Sequence, residues 1–111
     1  MKVFNKLVRN KIPEIIKKSG GEPFTVVLSL DEYSKCLNNK LLEECNELIN
    51  ATDNLSKTEE LADILEVVYS IAKFLGISLK NLEEVRKNKK SKNGGFESRI
   101  FLKYANQPMN S

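Results

Sequence analysis

Two long stretches with helical apolar spacing, each opened by a serine with a glutamate three residues later, are separated by only Thr52 to Leu55. In Ser29-Leu30-Asp31-Glu32 the hydroxyl can accept from the third helical amide while the glutamate reaches back to the serine amide. This capping box predicts a helix running to about Ala51. Ser56-Lys57-Thr58-Glu59 repeats the device and predicts a second helix ending at Gly76, a residue suited to the left-handed position just past a helix. A linker this short forces the two helices into an antiparallel hairpin. The rest of the chain has to be arranged around that hairpin.

The hairpin carries carboxylates at helical spacing. Glu44 with Glu47, and Glu60 with Asp63, stand three residues apart, so each pair is separated by about 60° on its helix and can reach one point beside it. Antiparallel packing sets the pairs across from each other. Four convergent carboxylates repel strongly unless a divalent cation neutralises them. An all-oxygen set suits Mg²⁺, or Mn²⁺, and argues against zinc or copper. The chain has no histidine, and Cys36 and Cys45 are nine positions apart, which is not a zinc-type ligand pair.

Projected from Leu41, the apolar positions of the first helix span about 320° through 0° to 100°; Glu44 falls on the shoulder near 300° and Glu47 near 240°. In the second helix Glu60 sits at the edge of the apolar arc and Asp63 beyond it. A shared ion therefore requires another element, or a partner subunit, to cover that shoulder. Asp53 and Glu66 fall off this face and are expected to be solvated. Glutamate is also a good helix former and acidic pairs on helices are commonly solvated, so spacing alone leaves both readings open.

The residues Glu43-Glu44-Cys45-Asn46-Glu47 and Glu60-Leu61-Ala62-Asp63, with twelve residues between them, form an EExxE and ExxD pair. This pattern resembles the signature of the all-α nucleoside triphosphate pyrophosphohydrolases, the MazG-like superfamily that includes phosphoribosyl-ATP pyrophosphohydrolase. The opening KLVRNKIPEII (Lys6 to Ile16) and the late RKNKKSKNGGF with RIFL (Arg86 to Leu102) are similar to the flanks of a small single-domain, house-cleaning branch. Asn10 departs from the aspartate usual in that branch, and Asn93 from the arginine before its two glycines. The resemblance implies a single MazG-like domain over residues 1–111 and a mainly α fold. That fold is a hairpin plus a third helix in an all-α pyrophosphatase-like bundle.

Length and composition fit one small domain. With 111 residues and 41% hydrophobic content, the chain can build a core but buries only about two-thirds of its unfolded surface. Completion as a homo-oligomer, dimer or tetramer, is expected. Eighteen Lys and Arg against fifteen acids give a formal charge of +3 with mixed signs, which is not a nucleic-acid-binding balance overall. No apolar run approaches a membrane span and the N-terminus lacks a signal-peptide core, so a cytoplasmic protein with reduced cysteines is expected.

Around the hairpin, Pro13 to about Lys18 reads as a short helix stopped by Gly20-Gly21. Phe24 to Leu28 and Arg99 to Tyr104 read as short strands that would pair into a small two-stranded β element. Ser78 opens a third helix to about Lys90, whose end is rich in Lys and Arg. Those cations suit a helix C-terminus and equally a phosphate clamp. Arg9 and Lys11 near the N-terminus, with Arg86 and Lys89, are the candidate phosphate ligands, by the fit of guanidinium and ammonium to anions. Lys40, one turn before Glu44, can pair with it or bind phosphate.

These residues suit hydrolysis of a polyphosphate. Mg²⁺ held by Glu44, Glu47, Glu60 and Asp63 would promote attack of water at the α/β linkage of a nucleotide, giving a monophosphate and pyrophosphate. Glu43, about 100° round the helix, would orient water or act as a base. The substrate is a non-standard or excess nucleoside triphosphate, or alternatively phosphoribosyl-ATP. A non-enzymatic alternative is a helical interaction module whose segment Arg86 to Lys92 binds nucleic acid or an acidic partner.

Overall fold

The computed structural model describes residues 1–107, in which the chain forms four helices: α1 (Ile12–Lys18), α2 (Leu30–Asn50), α3 (Asn54–Phe74) and α4 (Leu79–Asn93). The chain divides into two compact units, Met1–Leu79 and Lys80–Ser111. The first contains α1 and the α2–α3 hairpin; the second takes in nearly all of α4 and the segment beyond it. None of the helices is long and apolar enough to cross a membrane.

Local chemistry sets the helix ends. Ser29 caps α2 with the full capping box, its Oγ accepting from the Glu32 amide at 3.2 Å while Glu32 Oε1 accepts from the Ser29 amide at 3.2 Å. The second start differs from the sequence expectation. Asp53, expected only to be solvated, caps α3 by accepting from the Ser56 amide at 2.7 Å and from its hydroxyl at 3.0 Å. These two hydrogen bonds hold the Asp53 carboxyl below the usual aspartate range. Aspartate caps at least as well as serine, and starting at Asn54 gains helix before Ser56. Only Ala51, Thr52 and Asp53 then join the helices.

α3 ends as the glycine predicts. Gly76 takes φ +75°, and the Ile77 amide folds back to the Ala72 carbonyl at 2.8 Å. The left-handed backbone there costs glycine little, and the back-bond satisfies a carbonyl left orphaned at the helix end.

Two contacts fix the hairpin as antiparallel. Tyr33 near the start of α2 meets Phe74 at the end of α3, ring centroids 5.6 Å apart and edge-on. At the other end Lys57 Nζ donates to the Leu48 carbonyl at 3.2 Å. Between these contacts lie the buried apolar side chains of the described residues, Leu37, Val67 and Ala72. Cys36 and Cys45 are half-buried free thiols.

The expected β element is absent: among the described residues neither 24–28 nor 99–104 is a strand. β-Branched side chains favour extended backbone, yet a strand exists only with a partner to pair its amides. Val26 and Val27 are 83% and 100% exposed, so no second strand covers the middle of that run. α4 runs three residues beyond Lys90, to Asn93, and buries no residue. Gly94 comes next at φ +85° and donates to the Lys90 carbonyl at 2.8 Å.

Candidate metal centre

Glu44 and Glu47 project from α2 and Glu60 from α3, and one carboxylate oxygen from each lies within 4.8 Å of the others. Glu44 is only 6% exposed, Glu60 is half-buried and Glu47 is exposed. Antiparallel packing creates this meeting, because it carries residues sixteen positions apart in sequence to the same level of the hairpin. Glu44 Oε2 and Glu60 Oε2 are buried without a hydrogen-bond partner. Buried, unpartnered carboxylate oxygens are costly, and each calls for a proton, water or cation.

The electrostatics agree. The Glu60 carboxyl is pushed up to about 7, first because hydrogen bonding to Glu44 requires it to carry a proton, then through desolvation and the neighbouring charge of Glu47. Two carboxylates this close share a proton or a cation; both cannot be ionised and uncompensated. Lys40 Nζ partly offsets the charge from one side, 3.4 Å from Glu44 Oε1 and 3.6 Å from Glu43 Oε1. Three oxygen donors and no sulfur or imidazole make a set suited to a hard divalent cation such as Mg²⁺ or Mn²⁺.

The fourth carboxylate lies elsewhere. Asp63, grouped with the three glutamates on spacing, accepts from Arg9 at 2.7 Å and does not join them. On α3 it lies farther round from the contact with α2 than Glu60, and the N-terminal segment supplies a guanidinium there.

The same segment brings Lys6 to Glu43 at 2.9 Å. Glu43 is held below the usual carboxylate range, chiefly by that hydrogen bond, and Lys6 is correspondingly raised. Lys6 does not stand out as a site residue in the sequence, although its three-residue spacing from Arg9 within a basic stretch is the available signal. Lys11 is exposed at the N-cap of α1, and Asn10 is exposed in the turn before it.

The remaining two phosphate candidates belong to the second unit. Arg86 makes a two-pronged ion pair with Glu83, one turn before it on α4, which raises the guanidinium and lowers the carboxyl. Arg86 and Lys89 line a cleft of about 710 Å³ with Lys90, Asn93, Gly95 and Phe96. Asn93 thus lies beside the cations, at the end of α4, and Phe96 is 96% exposed. Glu66, off the carboxylate face as its position implied, lines a separate cleft of about 430 Å³ in the first unit with Tyr69 and Lys73.

No family model and no solved structure matches the chain. An uncharacterised protein of Mycolicibacterium smegmatis is 52% identical over 42 residues, which are 38% of this chain and 43% of that protein. The chain therefore spans less than half of that relative, which brings no activity with it.

Proposed function

We propose that the protein is a Mg²⁺-dependent nucleotide pyrophosphohydrolase, acting in the cytoplasm, that converts a nucleoside triphosphate to a monophosphate and pyrophosphate. The observation that carries this reading is the meeting of Glu44, Glu47 and Glu60 from two helices, with two buried oxygens left without partners. Bound by those three residues, the divalent ion supplies Lewis acidity and neutralises charge on the polyphosphate.

The chain's own residues supply the rest. Lys40, held between Glu43 and Glu44, is a partly buried ammonium beside the carboxylates, where an anionic ligand gains most from it. Lys6 and Arg9 sit one shell farther out and can exchange carboxylate partners for phosphate oxygens. Glu43, kept ionised by Lys6, accepts a hydrogen bond from water and so orients it, instead of storing its proton. Asp63 positions Arg9. Arg86 and Lys89 form the cationic lining of the second unit's own cleft.

In this reaction the water oxygen forms a bond to the α-phosphorus, the bond to the bridging oxygen breaks, and that oxygen leaves with pyrophosphate. Phosphoribosyl-ATP would undergo the same cleavage, so the alternative differs only in substrate. The test is pyrophosphate release across a panel of nucleotides that includes phosphoribosyl-ATP. Glu44→Gln and Glu60→Gln should each lose on the order of 100-fold or more in turnover, and Asp63→Asn should lose less. A separate binding readout is the rise in melting temperature with Mn²⁺, which the glutamine variants should lack. Full turnover in both variants would sink the assignment.

A further inference from the structure

The segment before α1 is neither helix nor strand, yet it is tied to both helices of the hairpin. Lys6 Nζ lies 2.9 Å from Glu43 on α2, and Arg9 lies 2.7 Å from Asp63 on α3. Leu7, between these two hooks, is half-buried, whereas every other residue from Met1 to Lys11 is exposed. Just before the hooks the chain bends at Asn5, whose φ is +47°.

The hooks stand on either side of the candidate metal centre. Tyr33 facing Phe74 and Lys57 reaching Leu48 set the register of the antiparallel pair. In that register Glu43 and Asp63 come at the same level of the hairpin as Glu44, Glu47 and Glu60. Turning round each helix from the line where the two pack, Glu44 and Glu60 come first, and Glu43 and Asp63 lie farther out in the same sense. In an antiparallel pair, equal senses of rotation lead to the same side of both helices. A connection from Glu43 to Asp63 therefore passes in front of the three glutamates. The three chain steps from Lys6 to Arg9 reach about 10 Å, and packed helices lie about 8 to 10 Å apart. The segment is just long enough to bridge them.

We infer that Lys6 to Arg9 form a strap that closes across the carboxylates, weakens their hold on a divalent cation, and opens when a polyphosphate takes over both hooks. The inference rests on the metal reading of this site given above. Charge supplies the weakening: Lys6 and Arg9 offset two acids beside the cluster and lower the field that attracts the ion. Position adds to it, since a bridging chain narrows the approach to Glu44 and Glu60. Opening follows from the weakness of the ties. All four paired side chains are partly exposed, and such pairs contribute little each. A chain of phosphates offers both cations more strongly charged partners.

The test reads Mn²⁺ affinity by calorimetry and the order of the strap by NMR relaxation of its backbone amides, on the full chain. The Lys6→Met, Arg9→Met double variant should bind Mn²⁺ several-fold more tightly than the wild type. Leu7→Ser keeps both charges and loosens only the seat, and it should also tighten binding, by a smaller factor. Leu7→Ala takes its place if circular dichroism shows a loss of helicity. In the wild type the Leu7 and Val8 amides should be as ordered as the hairpin. Tripolyphosphate should free them, and sodium chloride at equal ionic strength should not. Amides already mobile before any anion is added overturn the inference, as does equal release by sodium chloride. Mn²⁺ binding that is the same in the wild type and in the folded Leu7 variant overturns the strap alone. Absence of Mn²⁺ binding in every form overturns the metal reading and the strap together.

Discussion

The α2–α3 hairpin and α4 are built from similar helix-forming residues, yet they are held in different ways. The hairpin buries Leu37 and Glu44 on one helix and Val67 and Ala72 on the other, while α4 buries nothing and carries the local Arg86–Glu83 pair on its surface. Charge divides along the same line. Residues 1–79 hold ten Lys and Arg against twelve acids, and residues 80–111 hold eight against three. A carboxylate can be kept buried and close to others only where neighbouring helices fix its backbone, since the repulsion would otherwise push the side chains into water. The hairpin can therefore hold a preorganised charge site, whereas the second unit presents cations in an open cleft.

The largest expected effect tests that contrast in stability. Leu37→Ala should cost about 2 to 4 kcal/mol by urea denaturation, because it removes a buried side chain from the small apolar contact between α2 and α3. Leu82→Ala on α4, where the leucine is half-buried, should cost less than half as much. Equal losses would erase the distinction.

Next comes the pH dependence. In the folded, metal-free chain Glu60 holds its proton up to about 7, whereas its ordinary value is 4.5. Between those values the folded state binds more protons than the unfolded one, so this group's contribution is full below the lower value and falls as pH rises toward the upper one. The difference in denaturation midpoint between wild type and Glu60→Gln should therefore shift against the wild type from about pH 5 to about pH 8. Saturating Mn²⁺ should remove the shift, since the ion replaces the proton. A wild type that gains on the variant as pH rises would contradict the shared-proton geometry.

A smaller effect is expected at the helix start. Asp53→Ala should lower the melting temperature by a few degrees, and Ser56→Ala by less, because aspartate supplies the cap. The reverse order would restore Ser56 as the cap. Smallest of all is Arg86→Ala, whose exposed pair with Glu83 should leave the melting temperature within error. A marked drop there would mean that α4 depends on that pair far more than an exposed ion pair allows.

Much of this fold is written in short-range chemistry. The capping box at Ser29, the glycine stop at Gly76, the α1 start near Pro13 and the brevity of the α2–α3 linker each act within a few residues, so they are legible without any partner. So is the spacing that puts Glu44 beside Glu47. Where two local solutions compete, as Asp53 and Ser56 do for one cap, the better acceptor and the longer helix decide, and pattern reading alone chose wrongly. The stretch 24–28 misled for another reason: its side chains favour extension, but a strand is a property of two segments.

What tertiary structure alone decided is the membership of the charge cluster. The three-residue spacing joins Glu60 and Asp63 as one ligand pair although Asp63 lies farther from the apolar arc, and packing separates them, turning Glu60 toward Glu44 and leaving Asp63 to Arg9, fifty-four positions away in sequence. Lys6 joins Glu43 by the same long-range closure. The sequence by itself determined two helices, their antiparallel order and a surplus of acid on one flank, because helical periodicity and caps are local. Which acids meet, and which are claimed by a cation, depends on the rotation of one helix against the other and on where the N-terminal segment lies, and no local rule contains either.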